Sequence, residues 1–251
     1  MKILALDTAT ENCSAVLLID GNVLAREIET ARGHADRILP MIDELLAEAG
    51  LALPSLDAIA FGRGPGSFTG VRLAATVTQG LAFGANLGVV PISDLQAVAQ
   101  RALAAARVLV CNDARMGEVY WACFERGPDG LASLRGEEHV SKPTDVRLPA
   151  TWPTAVPAGR GFLVYADALY AAVPTLKTTA GAGAALSPSR GESPAVSPSG
   201  LPTELLPRAT EVALLAVPHV AGGRLLGPEA AIPIYLRDNV AHVAHPPKPA
   251  S

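Results

Sequence analysis

The chain has 251 residues and a formal net charge of −4. Its length suits one large domain or two small lobes, and its acidic balance argues against a broad basic face for autonomous nucleic-acid binding. Hydrophobic residues make up 49% and aromatic residues only 4%, so the core is expected to be built from Ala, Leu and Val, whose small side chains let elements approach closely.

Residues 3–6 form an apolar run that ends in Asp7, and a polar turn follows. This opening is too short to be expected to act as a signal peptide. Residues 13–19 are apolar again, Asp20-Gly21 is a hairpin signal, and 23–28 completes a three-stranded meander. Ile38, Leu39, Met41, Ile42, Leu45, Leu46 and Ala49 recur at helical spacing. Pro40 suits a first turn, so the spacing predicts a helix that begins near Arg37 and is ended by Gly50. The next strand, 57–61, runs into Gly62-Arg63-Gly64-Pro65-Gly66-Ser67-Phe68-Thr69-Gly70, and 71–83 then reads as a helix rich in Ala, Thr and Gly. A strand at 89–92 and a helix at 94–106, capped near Ser93, close the first half. The apolar stretch 73–90 is broken by Gln79, Asn86 and several glycines, so it is not expected to span a membrane.

The pattern restarts at Arg107, with an apolar run at 108–111, a polar turn at 112–117, a strand at 119–124, Asp129-Gly130 and a strand at 131–134. The order repeats the opening: strand, Asp, polar turn, strand, Asp-Gly, strand. We read this as an internal duplication, although any two β-meanders share such an outline. Further on, the pattern predicts a strand at 159–165, helices at 166–172 and 210–221, and an extended segment at 231–237. Residues 177–202 are Gly, Ala, Ser and Pro with almost no large apolar side chain, which predicts a flexible insertion. The resulting division is a first lobe over 1–106, a second over 107–226 that carries the insertion, and a tail over 227–251.

Three places are candidates for chemistry. A turn that holds phosphate wants glycine, so that backbone N–H groups can approach closely. The turn after the first strand offers Asp7, Thr8 and Thr10 but places Ala9 there, and the reading favoured for Asp7 is that it fixes the turn. The matching turn of the second half carries Asp113 and Arg115, where a phosphate contact and a structural ion pair are both open readings. The run 62–70 leads into a helix N-terminus, which favours an anion. It lacks the Lys-Ser or Lys-Thr of a Walker loop and the spacing of a dinucleotide fingerprint, and a tight structural turn is the other reading. Asp7, Thr8, Gly64, Gly66, Ser67, Asp113 and Arg115 are therefore the candidate lining of a vestigial nucleotide cleft. No catalytic or metal-ligating residue is expected. His34, His139, His219, His242 and His245 show no zinc-site spacing, and Ser67 has neither a nucleophile elbow nor a base to activate it. Cys13, Cys111 and Cys123, odd in number and widely spaced, read as reduced thiols.

The run Gly64-Pro65-Gly66-Ser67-Phe68-Thr69-Gly70-Val71-Arg72 resembles the bacterial TsaB family, also called YeaZ. So do the opening Ile3-Leu4-Ala5-Leu6-Asp7-Thr8, the helix from His34 to Leu46, Asp113-Ala114-Arg115 with Glu118-Val119-Tyr120, and the end motifs Pro207-Arg208-Ala209 and Pro228-Glu229-Ala230 through Pro233-Ile234-Tyr235-Leu236-Arg237. The resemblance implies an α/β fold of two actin-like, sugar-kinase-like (ASKHA) lobes, each a mixed sheet flanked by helices. It also implies a cytoplasmic, non-catalytic subunit in the making of threonylcarbamoyladenosine beside the anticodon of tRNAs reading codons that start with A. Its implied partners are TsaD, which transfers the group, the ATPase TsaE, and tRNA through the complex, with a homodimer when it is alone. No cofactor is expected for the chain itself, and any need for ATP and Mg is assigned to the complex. The alternative is an autonomous ATP-dependent kinase-like or glycoprotease-like enzyme. The family's lysine in an Ala-Lys-Gly-Leu-Ala stretch is replaced here by Gln79. The wide apolar stripe of the first helix and the small residues of the second lead to an expected partner face of His34, Ile38, Met41, Ile42, Leu45, Leu46, Val71, Arg72, Ala75 and Thr78, with arginine at Leu46 or Ala75 expected to break the assemblies.

Overall fold

A computed structural model describes residues 1–176 and 202–237. The chain opens with β1 (Lys2–Asp7), β2 (Asn12–Ile19) and β3 (Asn22–Glu29), the antiparallel meander that the alternating runs predict. Asp20 and Gly21 both have positive φ, 48° and 90°, as a two-residue turn of this hand requires. Helix α1 (His34–Ala49) leads to β4 (Ala58–Gly62), α2 (Phe68–Ala85), β5 (Gly88–Ile92) and α3 (Asp94–Arg101). The order in the first sheet is β3-β2-β1-β4-β5, with β4 and β5 parallel to β1.

The second half repeats this plan. Strands β6 (Arg107–Arg115), β7 (Glu118–Arg126) and β8 (Ala132–Ser141) form a meander, and β9 (Val156–Ala158) joins β6 in parallel, giving the order β8-β7-β6-β9. Each strand from β6 to β9 takes the place of its counterpart from β1 to β4, so the duplication is legible in topology. It is incomplete: between β8 and β9, where the first half has α1, the chain makes only a short 3-10 turn at Pro143–Asp145. Two short helices, α4 (Gly161–Val164) and α5 (Ala166–Ala172), follow, and α6 (Ala209–Ala221) is the last.

The central strands are buried on both faces, which explains their continuous apolar runs. Leu4, Leu6, Leu17, Ile59 and Phe61 meet Ile38, Ile42 and Leu45 of α1 and Ala74, Ala75 and Ala82 of α2. Ile3, Ala5, Val16, Ala60 and Val90 face the other way and are covered by Val212, Ala213, Leu215 and Ala216 of α6. The sequence division placed this helix in the second lobe, but packing places it on the first. Helix α3 packs on the second sheet through Leu95, Val98 and Ala99, and the far face of that sheet holds Leu109, Cys111, Phe162 and Leu169.

Several boundaries differ from expectation. Helix α1 starts at His34, with Pro40 inside it. Gly33 caps it in the left-handed region without a side-chain hydrogen bond, so no cap residue announces the start. Asp36 and Pro40 are exposed, so the carbonyl that Pro40 leaves unpaired can turn to water. Helix α2 begins three residues earlier than predicted, because Ser67 caps it by accepting from Gly70 N–H. The strand expected at 159–165 ends at Ala158. Gly159 turns the chain at φ 90°, and a short helix takes up the rest. Helix α3 ends at Arg101 rather than 106. The insertion expected at 177–202 lies, apart from Pro202, outside the described residues, as do His242 and His245.

Candidate functional site

Strands β1, β4 and β5 are parallel, so their C-terminal ends meet at one edge of the first sheet. There the turn after β1 lies against the glycine-rich loop after β4. The contact leaves no room for side chains. A Cβ on Gly66 would sit 2.6 Å from the Ala9 carbonyl oxygen, and one on Gly70 would sit 2.0 Å from that of Thr8. The Ser67 N–H donates to the Ala9 carbonyl at 2.7 Å, and the Thr8 hydroxyl donates to the Gly70 carbonyl at 2.7 Å. The close approach that glycine permits is thus made by protein backbone, the tight-turn reading of the loop.

Beneath this contact are two acids. Asp7, at the end of β1, and Asp94, at the start of α3, are both fully buried. Asp7 accepts from Ala9 N–H at 3.3 Å, and Asp94 accepts from Gly64 N–H at 2.5 Å. Burial pushes the Asp7 carboxyl up, and burial together with the neighbouring Asp7 pushes Asp94 well above the usual carboxylate range. Sequence reasoning placed Asp7 in the cleft wall. It lies below it, and neither Asp7 nor Gly64 reaches the cleft.

Between the lobes is a cleft of about 730 Å³. Its walls are residues 8–11, the starts of α1 and α2, residues 112–115 and residues 234–237. Of the candidate lining residues, Thr8, Gly66, Ser67, Asp113 and Arg115 lie along this cleft. The charges are matched, with Arg32, Arg115 and Arg237 against Glu11, Asp36 and Asp113. Arg115, with φ 62°, is held across the mouth. Its backbone N–H and guanidinium donate to Asp113 at 2.8 and 3.0 Å, and it reaches Glu11 of the first lobe at 3.4 Å. Its side chain is 76% exposed, so these bridges contribute little stability. Of the two readings of Arg115, its geometry is that of an ion pair. Asn112 is 7% exposed, and both atoms of its amide are buried without a partner. Among the described residues no group of three or more His, Cys, Asp or Glu could hold a metal ion.

Two further connections were not legible in the sequence. Arg63 reaches from the glycine-rich loop to Glu138 of β8 at 3.0 Å, with side-chain exposures of 20% and 6%. The C-terminal segment crosses from one lobe to the other. Ile234 N–H donates to the Arg63 carbonyl at 2.8 Å, the Tyr235 hydroxyl accepts from Arg72 at 2.7 Å, and Arg237 pairs with Glu118 of the second lobe.

The expected partner face needs correction. Ile38, Ile42, Leu45, Val71, Ala75 and Thr78 are buried inside the chain, because the first sheet needs their helices as its cover. Met41 and Leu46 are half-buried against the same core. His34 Nε2–H donates to the Thr10 carbonyl at 2.9 Å and fixes the first turn. The large apolar residues of α1 and α2 that are exposed are instead Leu39, Phe68 and Phe83, and Arg72 is exposed as well. Gly80 and Gly84 also face open space. Gln79, in the place of the family's lysine, points its amide towards the Pro228 carbonyl at 3.5 Å. All three cysteines are free and buried, and burial raises Cys13 to about 11 and Cys123 to about 12, so none is poised as a nucleophile.

Two sheets of one plan, facing each other across a cleft at the turns after their first strands, define the two-lobed actin-like and sugar-kinase-like class. A family model described as "TsaD: tRNA N6-adenosine threonylcarbamoyltransferase" matches residues 23–245. The chain is 39% identical over 249 residues to the tRNA threonylcarbamoyladenosine biosynthesis protein TsaB of Escherichia coli, covering 96% of both. It is 55% identical over 125 residues to the protein of that name from Haemophilus influenzae, covering 49% of this chain and 53% of the relative. The solved structure of YeaZ from Pseudomonas aeruginosa matches with a TM-score of 0.76 at 39% identity, covering 94% of this chain and 99% of the other. A second structure, described as similar to peptidase YeaZ from Pseudomonas aeruginosa, matches with a TM-score of 0.78 at 40% identity and the same coverage. The chain belongs to the TsaB family, also called YeaZ. Among the described residues, no helix is long and apolar enough to cross a membrane.

Proposed function

We propose that this chain serves threonylcarbamoyladenosine biosynthesis as a non-catalytic subunit, pairing with TsaD and, through it, with TsaE and tRNA. The observation that carries the reading is the filled turn at the head of the cleft. The Ser67 and Ala9 N–H groups, at the turn beside the cleft, are already bonded to the Ala9 carbonyl and to Asp7. The names of its relatives support the pathway. The pairing surface on this reading is the outer side of α1 and α2, carried by Leu39, Phe68, Arg72 and Phe83, where Gly80 and Gly84 leave room for a close helix. Alone, the same surface closes a homodimer. ATP and Mg enter at the level of the complex.

The test is reconstitution of the modification with TsaD, TsaE and the other enzymes of the pathway from one source, with and without this chain. Product that requires the chain, together with no turnover by the chain alone, is expected. Tight binding of ATP and Mg²⁺ by the isolated chain, with turnover, would establish the kinase-like alternative.

A further inference from the structure

Asp7 and Asp94 are far apart in the chain and touch under the glycine-rich loop. Each has one oxygen bonded to backbone, Asp7 Oδ1 to Ala9 N–H and Asp94 Oδ2 to Gly64 N–H. The other two, Asp7 Oδ2 and Asp94 Oδ1, have no donor and no access to water. They face one another: a Cβ on Gly62 would lie 1.9 Å from the first and 2.3 Å from the second. Gly62 is therefore the residue that makes room for the pair. Two bare carboxylate oxygens this close, with nothing between them, repel strongly in a dry site. One proton removes the conflict, because a protonated carboxyl donates where its neighbour accepts, and both orphaned oxygens are satisfied at once.

We propose that Asp7 and Asp94 together bind a single proton, and that this proton holds the glycine-rich loop against the turn after β1. The groups that face the pair are His34 of α1, Cys13 of β2 and Arg63 of the loop, the last engaged by Glu138 of β8. His34 and Arg63 favour ionisation, but burial outweighs them at both carboxyls. Asp94 grips Gly64 from both sides, since its own N–H donates to the Gly64 carbonyl at 3.0 Å. Asp7 holds Ala9, whose carbonyl receives Ser67 N–H, the cap of α2. Loss of the proton thus acts on the loop, the turn and the first turn of α2 together.

The sign of the pH dependence follows. The unfolded chain ionises both carboxyls above roughly pH 4, whereas the folded chain keeps one proton between them. Folding then takes up a proton, so the stability that the pair contributes is full below the unfolded carboxyl value. It declines as pH rises and is lost once pH passes the raised value of the folded pair.

The test is Asp94→Asn. Asparagine keeps an acceptor for Gly64 N–H and replaces the shared proton with an amide N–H aimed at Asp7, so the contact no longer titrates. From roughly pH 5 upward, the folding equilibrium constant of the wild type should fall relative to that of D94N by close to tenfold per pH unit, until the folded pair itself ionises. The infrared spectrum of the native protein at neutral pH should show the carbonyl band of a buried protonated acid, absent in D94N and in Asp7→Asn. Parallel pH profiles for wild type and D94N would overturn the proposal. If neither variant folds, the wild-type infrared spectrum decides alone, and absence of the acid band overturns it.

Discussion

Replacing Glu138 with alanine tests how the second lobe is fastened to the glycine-rich loop. The Arg63–Glu138 contact is a single bond of 3.0 Å, and Arg63 Nη1 and Glu138 Oε1 have no partner. Removing one member of a buried ion pair costs about 3–5 kcal/mol, because the survivor keeps its charge without compensation. One fifth of the Arg63 side chain reaches solvent, which lowers the expected loss to about 2–3 kcal/mol. For a chain of this size that is a fall in Tm of about 5–10 °C. Urea unfolding followed by tryptophan fluorescence and by circular dichroism provides the assay. Both tryptophans, Trp121 and Trp152, lie in the second lobe, so the two signals should separate if the lobes come apart independently. The double replacement Arg63→Met with Glu138→Leu should recover most of the loss, since it removes both desolvated charges together. A loss below about 0.5 kcal/mol for Glu138→Ala, the range of ordinary surface changes, would refute this account.

Gly70→Ala should cost at least about 2 kcal/mol, because its Cβ lands on the Thr8 carbonyl, whereas Gly80→Ala, with open space around it, should stabilise α2 by up to about 1 kcal/mol; thermal melts compare the two. Leu39→Arg and Phe83→Arg should leave stability within about 0.5 kcal/mol and abolish co-purification with TsaD, while Ala75→Arg, at 3% exposure, should unfold the chain and say nothing about pairing. Cys13, Cys111 and Cys123 should resist a thiol reagent at pH 8 and react once urea unfolds the chain, since burial holds Cys13 up at about 11 and Cys123 at about 12.

Local chemistry made much of the fold legible. Asp20-Gly21 marks a turn that needs two positive φ angles, and Ser67 and Ser93 mark helix starts through real caps. The repeat of strand, Asp, turn and strand survives as a shared sheet order. What stayed hidden depends on partners distant in sequence. The stripe of Ile38, Ile42 and Leu45 shows that α1 has an apolar face, but not that the first sheet claims it whole. Asp94 reads as the acidic first residue of a capped helix. Only the parallel order of β1, β4 and β5 brings it over Gly62 to Asp7. That order could have been used, since parallel strands deliver their C-terminal ends to one edge. No local pattern reveals that α6 returns to the first lobe, because its apolar residues would suit either sheet.

The place of α6 bears on how the chain is made. Ile3, Ala5 and Val16 leave the ribosome before the second lobe, while Val212 and Leu215, which shield them, leave it after that lobe. During translation the first sheet therefore waits with one side wet while the second lobe is synthesised as an inserted loop of the first. A nascent chain stopped before residue 209 exposes that side to whatever chaperone or neighbour is at hand, and a premature stop there should yield aggregate rather than a shortened subunit.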